Sequence, residues 1–177
     1  LLASANGFAG TYTVTAQAGA ASVSFSLTNA KGAQSTLAVT ATATTLPFGS
    51  STPLSITGGS GMGLVSYAAT AGSANCAVAG NVLSATAVGS CTVTTTKAAD
   101  ANYEAATATV DVNIVKASQP ALIASATPTS LQFLATATLA TSGGAGSGPV
   151  NFAVTAGGSA CSVSGATLTA VGVGTCT

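Results

Sequence analysis

The chain has 177 residues, three Lys, three Asp or Glu, no His, no Trp and no net charge. Charged residues are 3% of it, against about 25% in an ordinary soluble domain, so no basic patch exists for nucleic-acid phosphates or an anionic membrane surface. Mean hydropathy is +0.61, yet it comes from scattered Ala and Val, and no apolar run approaches the ~20 residues that a membrane-inserting helix needs.

Residues 1–10 have no basic n-region and no adequate h-region, so they do not read as a signal peptide. The chain begins Leu-Leu and reads as a segment of something longer. Thr11-Tyr12-Thr13-Val14-Thr15-Ala16 alternates, and so does Ala21-Ser22-Val23-Ser24-Phe25-Ser26-Leu27-Thr28. Period-two alternation predicts half-buried strands, joined by a turn containing Gly19. Gly10-Thr11-Tyr12-Thr13-Val14-Thr15 also lines up with Gly89-Ser90-Cys91-Thr92-Val93-Thr94. Residues 1–33 are therefore expected to be the closing strands of a preceding domain plus a linker. Tyr12 stands where Cys91 does, so that domain would lack a disulfide there.

Residues 34–118 read as one complete domain. Leu37, Val39 and Ala41 alternate with polar or small residues, and Leu54 and Ile56 mark a second short strand. After the loop Gly58-Gly59-Ser60-Gly61-Met62-Gly63, Val65, Tyr67 and Ala69 are expected to share one strand face. Cys76 and Val78, then Leu83 and Ala85, flank a turn at Gly80-Asn81, and Cys91, Val93 and Thr95 follow a turn at Val88-Gly89-Ser90. Residues 97–103 read as a polar connection to a last strand carrying Ala108, Val110, Val112 and Ile114. About seven short strands with turns every 8–12 residues predict an all-β fold of β-sandwich type. Thr, Val and Ser dominate and Gly interrupts, which argues against helix.

Cys76 and Cys91 return as Cys161 and Cys176, an offset of 85 at both. The same offset relates Leu46 to Leu131, Leu54 to Leu139, Tyr67 to Phe152, Gly80 to Gly165 and Leu83 to Leu168. Such a period marks a repeated structural unit. Residues 119–177 are therefore expected to be a second repeat lacking the counterparts of Val93 to Ile114. Four Cys at matched positions imply two disulfides inside the repeats, Cys76 with Cys91 and Cys161 with Cys176, with buried free thiols as the alternative. Zinc fits badly, because each repeat holds two Cys fifteen apart and no His.

The block Cys-x-Val-x-Gly-x-x-Leu-x-Ala-x-x-x-Gly-x-Cys-Thr, Gly-Gly-Ser-Gly ahead of Val65-Ser66-Tyr67, and Lys97-Ala98-Ala99-Asp100-Ala101-Asn102-Tyr103 resemble bacterial immunoglobulin-like repeats. The resemblance covers residues 34–177. It implies tandem Ig-like β-sandwiches in a large secreted or surface-attached bacterial protein, acting as a stalk or adhesive arm outside the cell. The implied partners are neighbouring copies or domains of the same protein, and a surface or host ligand.

Candidate chemistry is sparse. Without His no Ser-His or Cys-His pair can form, so no catalytic residue and no cofactor is expected. Asp100 and Glu104 are the nearest thing to paired carboxylates, and a solvated loop with Asp100 beside Lys97 is the simpler reading. Asp100, Asn102 and Glu104 offer too few carboxylates for calcium, which takes 6–8 oxygens. Lys116, Asn113 and Glu104 could be nominated for an isopeptide cross-link, but Lys116 sits in a linker. The Thr runs at 40–44, 107–109 and 136–138 could present an ice-binding array, yet Thr is a common outward strand residue. Tyr12, Tyr67 and Tyr103 are too scattered for a glycan-binding aromatic platform. The expected function is structural: a stalk or filament segment, with head-to-tail polymerisation by strand complementation as a variant and a glycan- or protein-binding module as the alternative class.

Overall fold

The computed structural model describes residue 4 and residues 6–177; residues 1–3 and 5, part of the stretch expected to close a preceding domain, lie outside them. The described residues form strands, turns and loops with no helix. The chain divides into two compact units, Leu1–Ala117 and Ser118–Thr177.

The first unit opens with β1 (Gly10–Ala18) and β2 (Ala21–Asn29), an antiparallel pair forming a two-stranded sheet of its own. Gly19 leads the two-residue loop at φ 60°, the glycine-first pattern of a hairpin turn whose twist matches the strands. The register opposes Tyr12 to Leu27, Val14 to Phe25 and Ala16 to Val23. Strand periodicity places these on one face and the intervening Thr and Ser on the other. That apolar face is open: Val23 is 65%, Phe25 48% and Leu27 40% exposed. The hairpin is anchored at its base, where the Ala9 N–H donates to Asn102 Oδ1 (3.0 Å) and Gly32 bridges to Tyr103.

The rest of the unit is two four-stranded sheets. One contains β3 (Ala38–Ala41), β5 (Ser51–Thr57), β8 (Val82–Ala85) and β7 (Cys76–Ala79), in the order β3-β5-β8-β7. The other contains β4 (Thr45–Pro47), β10 (Ala106–Val115), β9 (Gly89–Lys97) and β6 (Val65–Gly72), in the order β4-β10-β9-β6. Alternating Thr and Val suits such strands, since branched side chains pack on a pleated surface. Leu54, Leu83 and Ala85 from the first sheet and Leu46, Cys91, Val93, Val112 and Ile114 from the second make one buried cluster. All pairings are antiparallel except β4 with β10.

Val65, Tyr67 and Ala69 share one face of β6, in regular register with Lys97, Thr95 and Val93, although Val65 and Ala69 are exposed and Tyr67 packs against the cluster. A register shift follows between Ala69 and Ala71, and such a bulge breaks side-chain alternation beyond it. One expectation changes here. Lys97 belongs to β9 rather than to the polar connection, and its Nζ donates to Gly59 O at 3.3 Å instead of meeting Asp100.

The second unit repeats the first sheet alone. β11 (Ile123–Thr127), β12 (Thr136–Ser142), β13 (Cys161–Ser164) and β14 (Thr167–Ala170) run in the order β11-β12-β14-β13, strand for strand the arrangement of β3-β5-β8-β7. Residues 150–157 match β6 in sequence, and residues 130–132 match β4, yet neither stretch is a strand. The reason lies in pairing. β6 takes its ladder from residues 91–97 of β9, and β4 takes its own from β10. The second unit holds only residues 174–177 of a β9 counterpart, so the rest of 150–157 has no ladder to join.

Candidate functional site

Both predicted disulfides are formed, each across fifteen residues: Cys76–Cys91 with Cα atoms 5.9 Å apart, and Cys161–Cys176 with Cα atoms 6.3 Å apart. Two such bonds suit a non-reducing environment. Cys76 lies on β7 and Cys91 on β9, so the first bond joins the two sheets. Sequence reasoning found the pair and placed it inside the repeat. Knowing that the two strands belong to different sheets required the pairing pattern.

The backbone at this end is tightly built. Gly72 has φ 127°, and a Cβ there would fall 2.1 Å from Ser90 O, the residue before Cys91. Gly157 repeats this with φ 79° and a would-be Cβ 2.0 Å from Thr175 O, the residue before Cys176. Each glycine therefore admits the strand carrying the second cysteine at backbone contact distance, a role no other residue can fill at such φ.

In the second unit the disulfide has a different consequence. It secures residues 174–177, which lie outside any strand, to the edge strand β13. Thr177 also exchanges backbone hydrogen bonds with Ala156, its N–H donating to Ala156 O at 3.0 Å. Between this held segment and the stretch containing Ser130 and Leu131 lies a groove of about 420 Å³, floored by Ala137, Leu168 and Ala170. The floor is the inner face of the sheet. Leucines that are buried in the first unit lose their cover here: Leu37 is 7% exposed and its counterpart Leu122 57%, while Leu46 and Leu83 are buried and Leu131 and Leu168 only partly so. The sequence signal for this groove was present. Leu122, Leu131, Leu139 and Leu168 recur, whereas Val93, Val110, Val112 and Ile114 have no counterparts.

The other nominated residues fall as follows. Asp100 organises the 98–105 connection: its Oδ1 accepts from the Asn102 and Tyr103 N–H groups at 2.9 Å each, and its Oδ2 from the Met62 N–H. These donors, Asn102 foremost, hold its carboxyl below the ordinary value of 3.8. The Glu104 side chain is exposed, its backbone N–H donating to Gly32 O at 2.9 Å. The structure does not bring the two carboxylates together as an acid–base pair; one is a loop brace and the other faces solvent. No group of three or more Cys, Asp or Glu able to hold a metal occurs among the described residues. Lys116 and Asn113 are both exposed, whereas an isopeptide would need a buried Lys. Thr40, Thr42 and Thr44 point outward, as do Thr107 and Thr109. Tyr12 sits on the hairpin, with its Oη 2.7 Å from Phe8 O, Tyr67 packs on the core, and Tyr103 bridges to Gly32, so they form no common platform.

Thr95 was not singled out by sequence. It is fully buried on β9, and its Oγ1 has no hydrogen-bond partner.

No family model matches the chain, and no curated protein or solved structure does.

Proposed function

We propose that the chain is a structural segment of an extracellular bacterial surface protein, made of tandem Ig-like β-sandwiches and serving as a stalk or filament arm. One observation carries this reading. The same four-stranded sheet is built twice, with the same strand order and a disulfide at the same two positions. Repetition of one small sandwich gives length, and a chain of stapled modules bears load. The described residues supply braces and staples rather than a cluster of reactive groups. Outward Thr and Ser keep the surface hydrated with few charges.

Pulling the 177-residue chain between its ends tests the mechanical claim. An intact Cys76–Cys91 bond withholds about 50 Å of extension, from fifteen residues at ~3.3–3.6 Å each. Resolved unfolding of the first unit that lengthens by this amount on reduction supports a load-bearing module. Extension without a resolved unfolding event refutes it. Antibodies raised against the chain should label intact cells of the source organism, and labelling seen only after lysis would refute the extracellular assignment.

A further inference from the structure

We infer that the Gly-Gly-x-Gly loop of each unit is a receptor for the chain entering that unit, and that in the first unit it locks the β1–β2 hairpin to the two-sheet body as a stiff joint. Residues 30–36 have the composition of a flexible connection, small and polar with a glycine at 32. Backbone and side chains hold them instead. Gly32 lies beside Tyr103 as in a parallel ladder: its N–H donates to Asn102 O at 2.8 Å, and its carbonyl accepts from the Glu104 N–H at 2.9 Å. Two residues on, the half-buried Gln34 amide is used at both ends. Its Nε2 donates to Glu104 O at 2.8 Å and to Ala98 O at 3.3 Å, and its Oε1 accepts from the Gly61 N–H at 3.4 Å. The Ser35 N–H donates to Ser60 Oγ at 3.0 Å. An amide whose donor and acceptor ends are both taken is fixed in one orientation. Gln34 therefore pins the entering chain to the loop on one side and to the 98–104 connection on the other.

The second unit repeats the grip within its own residues. Gln119, the counterpart of Gln34, accepts at Oε1 from the Ala145 N–H at 3.3 Å, and Ala145 is the counterpart of Ser60. The glycines explain how the loop comes so close. Gly58 has φ 81° and Gly143 φ 82°, and a Cβ on them would fall 1.9 Å from Thr36 O and 2.1 Å from Ala121 O. A side chain at either position would push the entering strand away. In the first unit the network reaches the hairpin as well. The Ala9 N–H donates to Asn102 Oδ1 at 3.0 Å, and Asp100 accepts from the Asn102, Tyr103 and Met62 N–H groups, which ties the connection to the same loop. Modules joined by a short linker move against one another unless something fastens them, and here hydrogen bonds do so. The use of such stiffness in a stalk rests on the function proposed above; the joint itself does not.

Backbone amide relaxation and hydrogen exchange, measured by NMR on the oxidised 177-residue chain, test the joint. The hairpin and the β9–β10 pair should tumble with one correlation time, and the Gly32 and Glu104 amides should exchange slowly. Gln34→Ala should speed exchange at those two amides about tenfold, the factor that one net hydrogen bond is worth, and should let the hairpin tumble faster than β9–β10. Asn102→Ala, which frees Ala9 without touching Gln34, should also loosen the hairpin. Gln119→Ala should change the 143–146 loop and leave the hairpin as it was. A hairpin that already tumbles independently in the unchanged chain overturns the proposal. So do Gln34→Ala and Asn102→Ala variants that leave relaxation and exchange unaltered. Loss of β9–β10 protection in Gln34→Ala overturns it too, because Gln34 would then support the body rather than the joint. Forced unfolding and cell labelling read the core disulfide and the location of the chain, so the stalk reading and the joint fail separately.

Discussion

Cys76 and Cys91 join two different sheets: Cys76 begins the edge strand β7, and Cys91 lies on β9, an interior strand of the facing layer. The bond therefore opposes separation of the layers as well as opening of its loop. A loop of this size contributes about 3 kcal/mol in the chain-entropy account. Replacing both cysteines by Ala should lower the unfolding free energy of the first unit by about that amount in denaturant titrations. Cys161→Ala with Cys176→Ala should leave the first unit's transition unchanged. An unchanged midpoint for the first pair would show that the sheets need no staple.

Leu83 and Leu168 occupy the same place in the two sheets, one fully buried and the other partly exposed over the groove. A large-to-small change costs most where surrounding atoms cannot relax and none of the side chain was already wet. Leu83→Ala should destabilise its unit by about 3 kcal/mol and Leu168→Ala by about 1 kcal/mol. Chemical denaturation of the two variants gives the comparison directly, and equal losses would mean that the second unit's inner face is covered.

The Thr95 hydroxyl is buried without a partner. An unmet buried hydroxyl costs about 1–3 kcal/mol, and exchange for an apolar group of the same shape is neutral or stabilising. Thr95→Val should raise the stability of the first unit by about 1 kcal/mol, measured as a higher melting temperature. A lower one would mean that the hydroxyl is satisfied in solution.

Asp100 gains its lowered carboxyl value from backbone N–H donors that favour the charged form. Its contribution is therefore present above the ordinary value of 3.8 and disappears as pH falls through the lower folded value. Near neutrality this contribution should be full and independent of pH, with a loss appearing only in strong acid. Asp100→Asn should be less stable near neutrality and should flatten the acid limb of the stability–pH curve. A curve parallel to that of the unchanged protein would remove Asp100 as its source.

Phe25 lies on the open face of the hairpin, and the hairpin touches the rest of its unit through Ala9, Gly32, Asn102 and Tyr103. Phe25→Ser should shift the first unit's unfolding by no more than about 0.5 kcal/mol, as for other exposed positions. A loss several times larger would show that this face packs on the two-sheet core.

Much of this molecule follows from the chain alone. Period-two alternation in Thr11–Ala16, in Cys91–Thr95 and in Ala108–Ile114 set the strands, because successive side chains of a strand face opposite ways. The shared offset of Cys76, Leu83 and Cys91 with Cys161, Leu168 and Cys176 set the repeat and the cysteine pairs. These are local or self-comparing signals that need no long-range contact. Tertiary structure decided the rest. It assigned Cys76 and Cys91 to opposite sheets and sent Lys97 to Gly59 instead of Asp100. It also decided that Val150 and Phe152, aligned with strand residues, form no strand. A strand exists through its partners' hydrogen bonds, and which partners are at hand is a property of the assembled layers rather than of any stretch of sequence.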